Sequence, residues 1–151
     1  MRIVLARKAD EARVSETVLE RYEMKIESED DIILVRRKAR DAAQGCKFDA
    51  FGVSAVTTAA SELARNVWVH AKRGVATIEK LQDNVRFGVR VVFKDDGPGI
   101  ADIDRVLAGG YSTAKSMGLG LSGSKRLVDQ FMIESTVGRG TTIAITKWNP
   151  Y

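Results

Sequence analysis

The sequence predicts an α+β fold, a two-layer α/β sandwich whose sheet is mostly antiparallel with helices on one face. Three observations lead there. Two stretches between Ser28 and Ala71 repeat apolar residues at helical spacing, four β-branched segments follow in two neighbouring pairs, and a glycine-rich stretch with its own helix separates those pairs. The 151 residues, 44% of them apolar, supply one compact core but not two large domains.

Each element has a local reason. Residues 2–6 read as a short strand and residues 10–20 as a short helix in a charge-rich opening. Arg21 to Glu27 alternates as an edge strand does. On this reading residues 1–21 are an N-terminal extension and 22–151 the domain. Ser28 with Asp31 three residues on forms a capping box that opens a helix to Gly45, with Ile32, Ile33, Val35, Ala39 and Ala43 inward. Asp49 caps a longer helix to about Ala71, whose core stripe is Val56, Ala60, Leu63 and Val67, and Gly74 ends that region. Val75 to Leu81 and Val85 to Lys94 form a hairpin through Gln82-Asp83-Asn84. Residues 95–117 make a loop broken by a short helix near Ile103 to Leu107. Gly118 to Phe131 is a third long helix, and Met132 to Val137 and Thr141 to Trp148 pair through Gly138-Arg139-Gly140.

Composition narrows the function. The net charge of +4 is spread along the chain without a basic arm, so nucleic acid is not an expected partner. Cys46 is the single cysteine and His70 the single histidine, which excludes an internal disulfide and leaves no set of ligands for a structural zinc. A reducing, cytoplasmic compartment is expected. The opening apolar run is too short for a signal peptide and no stretch of about 18 apolar residues occurs, so no membrane association is expected.

Nine of the thirteen glycines fall between Gly97 and Gly140, which places function in the second half. Four patterns carry chemistry. Glu62 and Asn66 share a face of the second helix nearly opposite its core stripe, and the small Ala55 and Ala59 continue that face and leave room beside it. Asp95-Asp96-Gly97-Pro98-Gly99-Ile100 puts a carboxylate at a strand end and then a turn through which backbone approaches a ligand closely, although an ordinary surface turn has the same composition. Gly118-Leu119-Gly120-Leu121 opens a helix, where unpaired N–H groups suit phosphate. Gly138-Arg139-Gly140-Thr141 is a tight hairpin turn. Neither a Walker sequence nor a G-x-G-x-x-G dinucleotide fingerprint occurs.

In this order, on matching elements, Glu62-Leu63-Ala64-Arg65-Asn66, Asp95-Asp96-Gly97-Pro98-Gly99, Gly118-Leu119-Gly120-Leu121 and Gly138-Arg139-Gly140-Thr141 resemble the Asn box and three Gly boxes of the GHKL ATPase/kinase superfamily. From Ile26 to Trp148, with Tyr111-Ser112-Thr113, Ser124-Lys125-Arg126-Leu127 and Thr146-Lys147-Trp148, the chain looks like the RsbT-type serine/threonine kinases, the switch kinases of bacterial stress-response modules.

The resemblance implies the Bergerat fold, ATP with Mg2+, and a role for each matching residue. Asp95 would accept the adenine amine with Thr141 in support, Gly97 and Gly99 would let the chain pass the base, and Ile100 would wall it. Asn66 would hold Mg2+. Gly118, Leu119 and Gly120 would meet the phosphates, with Ser112, Thr113 and Lys115 as further contacts, and Glu62 would be the general base. His70 is expected at the pocket edge rather than as a phosphohistidine. The implied partners are a STAS-domain antagonist as substrate, scaffold STAS proteins of a stressosome, and a metal-dependent phosphatase as activation target. The alternative is an anti-sigma factor that sequesters a sigma subunit in a nucleotide-dependent manner; a detached histidine-kinase domain is a third. The basic run Arg36-Arg37-Lys38-Ala39-Arg40 would meet an acidic partner or simply form a solvated helix face.

Overall fold

A computed structural model describes residues 2–6, 16–108 and 117–150, with side chains for 16–108 and 121–150. The strands are β1 (Arg2–Ala6), β2 (Thr17–Ile26), β3 (Gly74–Gln82), β4 (Phe87–Asp95), β5 (Gln130–Thr136) and β6 (Gly140–Asn149). The helices are α1 (Glu29–Gly45), α2 (Ala50–Ala71), α3 (Ile103–Ala108) and α4 (Met117–Leu127). One six-stranded sheet runs β1-β5-β6-β4-β3-β2, and every neighbouring pair is antiparallel. This is the α+β sandwich expected.

The period-two alternation of the strands builds the interface between the layers. Ala76 and Ile78 of β3, Val89, Val91 and Phe93 of β4, Ile143 and Ile145 of β6, and Phe131 and Ile133 of β5 are buried in one cluster. From the helices it takes Val35, Ala39, Val56, Ala60, Leu63 and Val67. Both long helices begin as their caps dictate. Asp31 accepts the Ser28 N–H at 3.1 Å, and Asp49 accepts the Gly52 N–H at 2.8 Å. Lys72, at φ +69°, ends α2, and Gly74 already belongs to β3.

Four expectations require correction. Residues 17–20, expected in a helix, extend β2, because pairing with β3 overrides a charge-rich local pattern through a bulge between Val18 and Glu20; residues 10–15 lie outside the described residues. β2 therefore runs unbroken from Thr17 to Ile26, and β1 is the far edge of the same sheet. Ile33 is 53% exposed, since it points about 200° around α1 from Val35. Val85 sits in the turn rather than in β4, where the Asp83 carboxylate accepts the N–H groups of Val85 and Arg86 at 3.0 and 2.7 Å. The third long helix stops at Leu127 instead of Phe131. There the Asp129 N–H donates to the Thr146 carbonyl at 2.9 Å and its carboxylate accepts the Trp148 N–H at 2.8 Å, turning the chain into β5 and burying Phe131.

Candidate active site

β4 ends at Asp95, paired with Gly74 on one side and Thr141 on the other. Its carboxylate accepts the Gly97 N–H at 2.8 Å, the local bond that turns the strand into the Gly-Pro-Gly loop. Burial pushes the Asp95 carboxyl above its ordinary value; N–H groups of Gly97 and Thr141 pull it down, the neighbouring Asp96 charge raises it, and His70 lowers it. Gly140 lies where β6 crosses this strand end: at φ +133° a side chain would be strained, and a Cβ would run into the Asp95 carbonyl.

The loop after Asp95 is fastened to the β5–β6 hairpin. Gly99 adopts φ +77° with no room for a Cβ against the Thr136 carbonyl, the Gly138 N–H donates to Pro98 O at 2.9 Å, and the Ile100 N–H donates to Ser135 Oγ at 2.8 Å. The Ser135 and Thr141 hydroxyls share a hydrogen bond of 2.7 Å. Ser135 thus joins the Gly97–Ile100 loop to the floor on which Thr141 stands.

Between this floor and α2 lies a narrow cavity of about 20 Å³, room for about one water. Its walls are apolar, with Leu63, Val67, Phe93, Ile100, Leu121 and Ile143, and its polar groups are Asn66, His70, Asp95 and Thr141. Burial holds the His70 imidazole below its usual range, against the pull of Asp95 and with that of Lys72. The Asn66 Nδ2 atom is buried without a hydrogen-bond partner, a donor left unsatisfied at the cavity.

Asn66, Asp95, Ile100 and Thr141 thus meet around one cavity, with Gly97 and Gly99 in the adjoining loop. Gly118, Leu119 and Gly120 fall in the first turn of α4, the helix whose Leu121 lines the cavity. Glu62 is exposed one helical turn before Asn66 and outside the cavity wall. Ala59, expected to leave open space on the Glu62 face, is fully buried. Ser112, Thr113 and Lys115 lie outside the described residues. Sequence reasoning missed Ser135 and gave Leu121, the last residue of Gly118-Leu119-Gly120-Leu121, no role of its own. Ser135 was visible only as the partner of Thr141 across the hairpin.

Residues 53–150 match the model of the histidine kinase-, DNA gyrase B- and HSP90-like ATPases. The chain belongs to this GHKL family. It is 40% identical over 125 residues to a protein named serine/threonine-protein kinase RsbT from Bacillus subtilis (strain 168), covering 83% of this chain and 94% of that one. It is also 28% identical over 102 residues to anti-sigma F factors from Thermoanaerobacter sp. (strain X514) and Caldanaerobacter subterraneus subsp. tengcongensis, covering 64% of this chain and 70% of each. Within the GHKL family it is a kinase of the RsbT type. The matched stretch, residues 53–150, includes every residue that lines the cavity between α2 and the sheet. Among the described residues no helix is long and apolar enough to cross a membrane.

Proposed function

We propose that the chain is an ATP-dependent serine/threonine kinase of the cytoplasm that phosphorylates a STAS-domain antagonist held by scaffold STAS proteins, then switches partner to activate a metal-dependent phosphatase in a bacterial stress-response pathway. The observation that carries this reading is the spacing on α2: Glu62 stands exposed one turn from Asn66, which lines the cavity of Asp95.

Each residue has a physical task. Asp95 accepts the adenine amine, and Thr141, anchored by Ser135, supports it. Gly97 and Gly99 bring the backbone against the base while Ile100 covers it. The 20 Å³ cavity is too small for a purine, so nucleotide entry must widen it. Gly118, Leu119 and Gly120 then face the phosphates from a helix N-terminus, with Ser112, Thr113 and Lys115 close in sequence. Glu62 takes the proton from the attacking hydroxyl as its oxygen bonds to the γ-phosphorus and ADP departs.

Asn66 would offer magnesium its side-chain oxygen, Oδ1, a hard ligand for a hard ion that takes few protein ligands and keeps phosphate and water for the rest. Its buried Nδ2 is a donor and takes no part in holding the metal. No group of three His, Cys, Asp or Glu side chains suited to a metal occurs among the described residues, so Asn66 and the nucleotide would hold it. When bound it neutralises phosphate charge.

The anti-sigma F relatives favour a second reading, a module that sequesters a sigma subunit and uses nucleotide to shape its surface. Retention assays on the immobilised protein separate the two. The kinase reading expects a STAS-domain protein to be retained and released after Mg-ATP; retention of a sigma subunit alone would overturn it.

A further inference from the structure

A second groove lies at the opposite ends of the helices that flank the nucleotide cavity. It has a volume of about 440 Å³ and runs between the start of α2 and the end of α4, walled by Phe48, Leu127 and Trp148. At its edge Phe51 is 87% exposed, a large aromatic ring left in water beside an apolar hollow rather than on a polar surface. The groove is also positive. Arg126 and Lys147 line it, and neither has an ion-pair partner among the described residues. The one carboxylate there, Asp49, is committed to the Gly52 N–H at 2.8 Å. An apolar hollow with an exposed aromatic and two unpaired cations is complementary to a partner that brings an apolar side chain next to a carboxylate.

The position of the groove says which partner. Phe51 and Glu62 are eleven residues apart on α2, so they point within about 20° of one another and lie about 16 Å apart along the axis. Ala55 falls on the same line and adds no long side chain to obstruct it. A protein that presents a hydroxyl to Glu62 and extends along α2 toward its start also passes over the groove.

We infer that this groove docks the phosphoacceptor protein, through an apolar side chain flanked by acidic residues, about three turns of α2 away from the phosphoryl-transfer centre. The inference rests on the kinase reading and deepens it: the exposed face of α2 selects the substrate at one end and acts on it at the other.

The test compares the wild type with Phe51→Ala and with the double charge reversal Arg126→Glu/Lys147→Glu, all on exposed or half-exposed positions. Calorimetry with the STAS-domain acceptor is run beside calorimetry with ATP and steady-state transfer. The inference expects acceptor affinity to fall at least tenfold for the charge reversal and about fivefold for Phe51→Ala. ATP affinity is unchanged, and KM for the acceptor rises while kcat at saturation holds. An acceptor with a compensating carboxylate-to-lysine change should bind the charge-reversed protein again. Acceptor affinity within twofold of wild type in both variants, or an acceptor that does not bind the wild type, would overturn the docking inference. Acceptor bound through the groove but never phosphorylated would instead remove the kinase reading and leave the docking surface standing.

Discussion

Two carboxylates on adjacent strands, Glu79 of β3 and Asp95 of β4, are provided for in opposite ways. Glu79 is 5% exposed on the face of the sheet away from the helices, where Arg21 and Arg90 each donate to it at 2.7 Å, and Arg90 goes on to Glu16 at 2.8 Å. Burial alone would raise its pKa, but the two guanidinium groups together hold it below the ordinary value. Asp95, half-buried at the other end of β4, receives no cation of that kind, and burial leaves its pKa raised. The paired carboxylate has its hydrogen-bonding capacity met inside the protein. The other keeps capacity for something else, as does the Asn66 amide across the cavity. A carboxylate that costs the fold something and is kept in a pocket marks a binding site; one fully paired marks structure.

A third carboxylate sharpens the contrast. Glu62 is exposed and has no ion pair among the described residues, so Glu62→Gln should leave stability and ATP affinity at wild-type levels. Phosphoryl transfer should fall by about two to four orders of magnitude, the usual worth of a general base; single-turnover kinetics read this, and near-normal turnover would remove Glu62 from the role. Asp95→Asn should weaken ATP about tenfold to a hundredfold by calorimetry, the loss of one hydrogen bond to a buried carboxylate. Because the folded pKa of Asp95 lies above its unfolded value, its ionisation opposes folding as the pH rises past about 3.8. Asp95→Asn should therefore not lower the unfolding temperature at pH 7.

Glu79→Gln should do the reverse, lowering stability by about 2 kcal/mol with ATP affinity intact. The folded pKa of Glu79 lies below its unfolded value of about 4.5, so its contribution is present above that pH and fades as the pH falls through the folded value. Urea titrations at pH 7 and pH 3 should show the variant's deficit shrinking in acid. The smallest effect is expected from Ser135→Ala, about 1 kcal/mol of stability with a modest loss of ATP affinity. It removes the acceptor of the Ile100 N–H and the partner of Thr141.

The contrast also explains what the sequence disclosed. Asn66, Asp95 and the glycine turns were singled out by local patterns, a helical spacing, a strand end and turns, and took their expected roles only from the resemblance of the four patterns together to the GHKL boxes. The fold class was legible because the apolar periods of α1, α2 and the four later strands agree. The Glu79 network was not legible, since Arg21, Glu79 and Arg90 become neighbours only through the register of three strands. Ser135 escaped for the same reason. Residues 17–20 were misread because their strand character comes from β3 rather than from their own side chains. The early end of α4 was hidden in the Asp129 bonds to β6, formed by residues far away in sequence.

The most direct measurement is mass spectrometry of a STAS-domain acceptor after incubation with the protein and Mg-ATP, with the wild type and Glu62→Gln side by side. Phosphoserine or phosphothreonine formed by the wild type and lost at least a hundredfold in Glu62→Gln is the result predicted. ATP bound in the cavity with no phosphoprotein formed, or equal transfer by both proteins, would contradict the account.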